Sequence, residues 1–159
     1  RTHNCGNCKD NTYTSGAPNF YVDCNGEDKC QNTKWEPDGF IFLCCDGKAV
    51  CKGNARTRAY GSDVSITCKG ENSCTDHKIG ESNSNTVRNV AIKCDRSGGE
   101  NPCENTKIYA SDHVDVTCSG SDACYKLKIQ ASATCCCSAD SGGSCSQVSG
   151  CSTPPAGGC

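Results

Sequence analysis

Val114-Asp115-Val116-Thr117-Cys118-Ser119-Gly120-Ser121-Asp122-Ala123-Cys124-Tyr125-Lys126-Leu127-Lys128-Ile129 reads as one structural unit. Val114, Val116 and Cys118 alternate with Asp115 and Thr117, the period of a strand with one buried face. A glycine-containing turn runs from Ser119 to Ala123 and is closed by Cys124. A second short alternating run passes through Leu127 and ends at Ile129. Strand, tight loop and strand cannot bury an apolar face alone, so recurrence of this unit predicts stacked rungs rather than a closed domain.

The unit recurs along the central chain. The strand triplets are Phe20-Val22-Cys24, Ile41-Leu43-Cys45, Val64-Ile66-Cys68, Val90-Ile92-Cys94, Val114-Val116-Cys118 and, more weakly, Ala133-Cys135-Cys137. A second cysteine follows each: Cys30, Cys51, Cys74, Cys103, Cys124 and Cys145. Five residues further lies a bulky apolar side chain in four of the six units, namely Trp35, Ile79, Ile108 and Ile129, while Arg56 and Gly150 break the rule. Successive first cysteines stand 21, 23, 26, 24 and 19 residues apart. That variation falls in polar stretches such as Glu81 to Asn85 and Arg96 to Asn101, expected to bulge as loops. The predicted fold is therefore all-β, a disulfide-stapled parallel β-solenoid (β-helix) of about six rungs. Residues 1–19 are expected as an N-terminal cap or junction, 20–148 as the repeats, and 149–159 as a Cys/Pro/Gly tail. Trp35 is placed at the ragged end of the core.

Composition agrees. Cysteine supplies 19 of 159 residues, methionine none and tryptophan one. So few large apolar groups leave a thin core that covalent staples must supplement. Such cysteine usage points to an oxidising, extracellular compartment; no signal peptide is present, and none would be if Arg1 is a processed N-terminus. No apolar run approaches the ~20 residues of a membrane span. The net charge of −2 offers no field that would draw nucleic acid or an anionic membrane.

Each rung carries its own two cysteines, and a glycine two residues after the first (Gly26, Gly47, Gly70, Gly120) suits a tight loop. The expected bonds are Cys24–Cys30, Cys45–Cys51, Cys68–Cys74, Cys94–Cys103, Cys118–Cys124 and Cys137–Cys145. Pairing between rungs is the alternative, because stacked strands ~4.8 Å apart lie within disulfide reach. Seven cysteines remain: Cys5, Cys8, Cys44, Cys135, Cys136, Cys151 and Cys159. Seven is odd, which leaves at least one free or bonded to another chain. Cys5, Cys8, Cys151 and Cys159, near the two ends, are the candidate intersubunit cysteines. In the adjacent pair Cys44-Cys45 one side chain faces inward and the other outward.

Little in the chain carries catalytic chemistry. His3, His77 and His113 are scattered, lack a zinc spacing and are expected on the solvated surface. Glu27-Asp28 and Ser121-Asp122 sit in the predicted turns, no carboxylate column repeats on the strands, and no nucleophile elbow, Walker loop or dinucleotide fingerprint occurs. No enzyme activity, catalytic residue, cofactor or metal is expected. Two surface ranks stand out. Lys34, Lys78, Lys107 and Lys128 each precede the second apolar position and would stack as an outward lysine column, read either as a solubilising edge or as an anion- or glycan-binding ridge. Thr67, Thr117 and Thr134 precede a cysteine on the outward face. That rank is interrupted by Asp23, Cys44 and Lys93, too broken for a flat ice-matching face.

The frame apolar-x-apolar-x-Cys-x-Gly-x3-Cys-x4-apolar, over about residues 20 to 145, resembles cysteine-rich parallel β-solenoids of extracellular proteins. It is most similar to repeat proteins of protist surface fibres such as flagellar hairs (mastigonemes). The resemblance implies a structural subunit that polymerises head to tail with copies of itself into an extracellular filament, with glycans as further partners and neither nucleic acid nor membrane insertion. The alternative function is a secreted binding module for carbohydrate or ice. No Asn-x-Ser/Thr sequon occurs, the nearest approach being Asn72-Ser73-Cys74, so any sugars are expected on Ser/Thr or in the Pro154-Pro155 tail.

Overall fold

The computed structural model describes residues 2–4, 8–16, 18–59, 62–81, 87–130, 134–140, 142, 143 and 145–150. Along the chain long strands alternate with short ones. They are β1 (Thr2–Asn4), β2 (Thr12–Ser15), β3 (Asn19–Asn25), β4 (Lys34–Pro37), β5 (Phe40–Asp46), β6 (Arg56–Thr57), β7 (Val64–Lys69), β8 (Lys78–Ile79), β9 (Val87–Asp95), β10 (Lys107–Ile108), β11 (Ala110–Ser119), β12 (Lys128–Ile129) and β13 (Thr134–Asp140). The odd strands form one parallel sheet in the order β1-β3-β5-β7-β9-β11-β13, and the even strands a second, β12-β10-β8-β6-β4-β2. The chain is a cysteine-rich, all-β parallel solenoid.

Register explains why it stacks. Phe20 lies opposite Ile41, Val22 opposite Leu43 and Cys24 opposite Cys45, and the same three columns continue through Val64-Ile66-Cys68, Val90-Ile92-Cys94 and Val114-Val116-Cys118. All of these side chains are buried. A one-residue slip would turn each triplet out to water, so burial itself pins the register. Ser111 and Asp112 form a bulge in β11 against β9, between Ala110 and His113.

The turns between sheets stack as tightly as the strands. Gly26 N donates to Asp46 O, Gly47 N to Lys69 O and Ala49 N to Glu71 O, so the inter-rung ladder continues around the bend. Gly26, Gly47, Gly70 and Gly120 all have positive φ. A Cβ on Gly47 would stand 2.6 Å from Gly26 O, so only glycine allows this rung spacing. Each turn is closed by a disulfide: Cys24–Cys30, Cys45–Cys51, Cys68–Cys74, Cys94–Cys103, Cys118–Cys124 and Cys137–Cys145. These six bonds all run within rungs. Chain-entropy arithmetic gives each short loop about 2 kcal/mol of stabilisation.

Four expectations are corrected. Residues 1–19 are not merely a cover: β1 pairs β3 and β2 pairs β4, so the segment adds a strand to each sheet. Trp35 is not at a ragged end; it is fully buried, with Tyr13 on one side and Thr57 on the other in its column. The weak sixth triplet is shifted by two residues, with Cys135 opposite Val114, Cys137 opposite Val116 and Ala139 opposite Cys118. A shift of two preserves the in-and-out alternation. It moves Thr134 out of the threonine rank to face His113, and Ser138 takes its place beside Thr117. His77 is fully buried rather than solvated. Ser149, placed by the sequence in the tail, bridges Lys128; residues 151–159, including Pro154 and Pro155, lie outside the described residues.

Candidate functional site

In the second sheet β6, β8, β10 and β12 are so short that each contributes one inward and one outward residue, in line with Trp35 and Lys34 of the longer β4. Inward stand Trp35, Thr57, Ile79, Ile108 and Ile129; outward stand Lys34, Arg56, Lys78, Lys107 and Lys128, paired rung on rung. The basic rank is thus continuous over five rungs. Arg56, scored in the sequence as a break at the apolar position, belongs to it. One extra residue after Cys51 displaces the frame, so that Thr57 takes the inward place.

That extra residue has consequences inside. Ala55 and Thr57 are small, and the space is filled by Trp35 and His77, whose rings stack at 5.8 Å with an interplanar angle of 3°. Thr57 Oγ1 lies 3.0 Å from His77 Nε2, and His77 Nδ1 lies 3.4 Å from Cys51 O. Burial pushes the His77 pKa down to about 4. The neutral ring satisfies both contacts, with Nδ1–H donating to the carbonyl and Nε2 accepting from the hydroxyl. The same device recurs: Thr33 Oγ1 donates to Cys8 O, and Thr106 Oγ1 donates to Cys74 O at 2.8 Å. Each inward polar residue satisfies the carbonyl of the closing cysteine one rung before. Cys8 therefore occupies a closing-cysteine position, and Tyr13, five residues on, the apolar one. That spacing was present in the sequence.

Two ranks flank the basic one. On the turn side lie Asn32, Gly53, Asp76, Asn105 and Lys126, all in the left-handed region of φ. Asn32 Nδ2 donates to Asp10 Oδ1, and Asn54 N to Asn32 Oδ1. On the other side the backbone ladder aligns Arg58, Gly80, Tyr109 and Gln130, whose N–H groups donate to Trp35, Thr57, Ile79 and Ile108. At the N-terminal end the two arginines are paired, while Lys34 has no ion-pair partner among the described residues. Arg58 pairs with Glu36 at 2.9 Å and with Glu81, and Arg56 lies 3.6 Å from Glu81. At the C-terminal end Lys78, Lys107 and Lys128 have no ion-pair partner among the described residues. They line a groove of about 440 Å³ with Asp76, Asn105 and Lys126, and Lys126 Nζ sits 4.7 Å from the centre of the Tyr125 ring.

The remaining chemistry-bearing residues are dispersed. His113 Nε2 lies 2.9 Å from Asp115 Oδ1, and its Nδ1 2.7 Å from Thr134 Oγ1. Cys136 completes a close group with His113 and Asp115, and Cys118, Cys137 and Cys145 form another. Every one of these cysteines is disulfide-bonded, which removes the thiolate a metal would need. Asp28 and Asp122 are turn residues held by Gln31 and Gln147. Cys8 is buried and disulfide-bonded, so it is withdrawn as an intersubunit candidate; Cys5, Cys151 and Cys159 lie outside the described residues. Among the described residues the free thiol is Cys44, half-buried on the outer face of β5 while Cys45 faces in. Burial first, then Asp23 and Asp46, raises its pKa, so it stays protonated at neutral pH. Cys135 and Cys136 are disulfide-bonded.

At the two ends the sheets present edges of opposite sense. Among the described residues β1 and β13 each have one strand neighbour, as does β2. On the far side of β12, Ile129 N donates to Ser149 O. No family model, curated protein or solved structure matches the chain.

Proposed function

We propose that the chain is a structural subunit of an extracellular filament or surface appendage of the flagellar-hair kind, joined head to tail to copies of itself and without catalytic activity. The observation that carries this reading is the combination of parallel pairing throughout both sheets with opposite edges. The outer side of β13 asks for a parallel strand, and β1 of another copy is one. Contact between unlike ends is heterologous and yields a filament unless rotation closes it. A disulfide in every turn suits a load-bearing rod outside the cell, where such bonds persist. Glycans are the further partners of this reading, with neither nucleic acid nor membrane insertion.

The test uses the oxidised full chain at increasing concentration, followed by sedimentation velocity and electron microscopy. Filaments of uniform width that lengthen with concentration are expected. A monomer that persists up to saturation would overturn the proposal.

A further inference from the structure

Beyond filament assembly, we propose that the C-terminal half of the basic rank is a binding site for an acidic polysaccharide laid along the solenoid axis. The groove is lined by four lysines, Lys78, Lys107, Lys126 and Lys128, and by one acidic residue, Asp76. Lys78, Lys107 and Lys128 have no partner among the described residues, although Glu36 and Glu81 show that this same face can supply counter-charges where they are used.

The geometry selects the ligand class. Backbone pairing fixes Lys78, Lys107 and Lys128 in three consecutive rungs, one basic side chain every ~4.8 Å. A small anion would use one or two of them. An extended acidic peptide presents same-face side chains every ~7 Å, out of step with the rungs. A chain of pyranoses advances by close to one rung per sugar, so acid groups that face the sheet on successive or alternate residues stay in step with the lysines. Single-stranded nucleic acid would need a series of aromatic platforms for its bases, and the rank beside the lysines, Arg58, Gly80, Tyr109 and Gln130, holds a single aromatic. The neighbours suit sugars. Tyr109 stands half-buried beside the rank, one rung on from Gly80, whose lack of a side chain leaves room for the Tyr109 backbone carbonyl: a Cβ there would lie 2.4 Å from Tyr109 O. The amides of Asn105 and Gln130 supply neutral donors and acceptors to hydroxyls. Because each exposed ion pair is weak, affinity comes from several held in register, and salt screens it.

The experiment measures binding of dextran sulfate, polygalacturonate, neutral dextran, poly-glutamate and single-stranded DNA to the oxidised full chain by calorimetry at low and high salt. Binding of either acidic polymer and not of dextran is expected, and which one binds identifies sulfate or carboxylate as the recognised group. Lys107→Gln with Lys128→Gln should weaken binding by at least about tenfold. Lys34→Gln, at the opposite end of the rank, should change it by less than about twofold. As a readout needing no variant, bound polymer should shield Lys107 and Lys128 from acetylation in the unmodified protein while leaving Lys48 reactive. Equal binding of dextran, equal binding of poly-glutamate or single-stranded DNA, or uniform acetylation with and without polymer would each overturn the assignment.

Discussion

The two halves of the second sheet carry the same basic rank over different foundations. In the N-terminal half an extra residue after Cys51 places Thr57 inward, and the missing volume is made up by Trp35 stacked on His77. Outside, Arg56 and Arg58 are tied to Glu36 and Glu81. In the C-terminal half Ile79, Ile108 and Ile129 stack directly, and the lysines above them have no ion-pair partner among the described residues. A repeat array can thus absorb an insertion by exchanging regular aliphatic packing for a polar-aromatic plug, and keep its outer column in phase.

The largest effect that could break this comparison comes from the plug. Trp35→Ala should cost about 3–5 kcal/mol, since the rung beneath has only Ala55 and Thr57 to offer in replacement. Denaturant unfolding of the oxidised protein measures it, and a loss below about 1 kcal/mol would mean that Trp35 does not hold the irregular half together.

Next is pH. His77 has a folded pKa of about 4, below its unfolded value near 6.5, so the unfolded chain takes up the proton first. The stabilisation from the neutral buried ring is complete above the unfolded pKa and is lost as pH falls towards 4, about 3 kcal/mol in all. His77→Phe should flatten the stability profile in that window, with midpoints compared at pH values above and below it. Asp63, held below the usual carboxylate range by its hydrogen bond from Arg88, and Asp95, by that from Ser97 N, add losses only at lower pH. An unaltered profile in His77→Phe would remove the buried imidazole from the account.

The smallest effects compare the outer faces. Arg58→Gln breaks pairs to two glutamates and should cost about 1 kcal/mol, whereas Lys107→Gln should change stability by less than about 0.5 kcal/mol. Thermal melts of the two variants, side by side, separate a charge used for structure from one left available.

The sequence made the regular half plain because there three columns, Val-x-Val/Ile-x-Cys, closing cysteine and isoleucine, keep constant offsets. It hid the other half because a single insertion defeats a fixed ruler, and Arg56 in an apolar slot looked like failure instead of displacement. The N-terminal strands β1 and β2 lacked a strong triplet, though Cys8 and Tyr13 kept the five-residue spacing. His77 was misplaced because an isolated histidine carries no burial signal; its inward position follows only once Thr33 and Thr106 are recognised in the same column. The left-handed turn residues Asp28, Asn32, Asn72, Asp76, Asn105 and Asp122 were a readable signal, since Asp and Asn tolerate positive φ better than other non-glycine residues. Distribution of charge around the lysines was not readable, because Glu36 and Glu81 meet Arg58 only through the stacking.

Both halves share one axis, along which every strand is a rung, and end-to-end growth would continue that axis from copy to copy. Fibre diffraction from aligned filaments of the oxidised chain tests this most directly. The account predicts a meridional reflection at ~4.8 Å, with strands perpendicular to the filament. A reflection at that spacing on the equator, with the rods lying across the fibre, would contradict it.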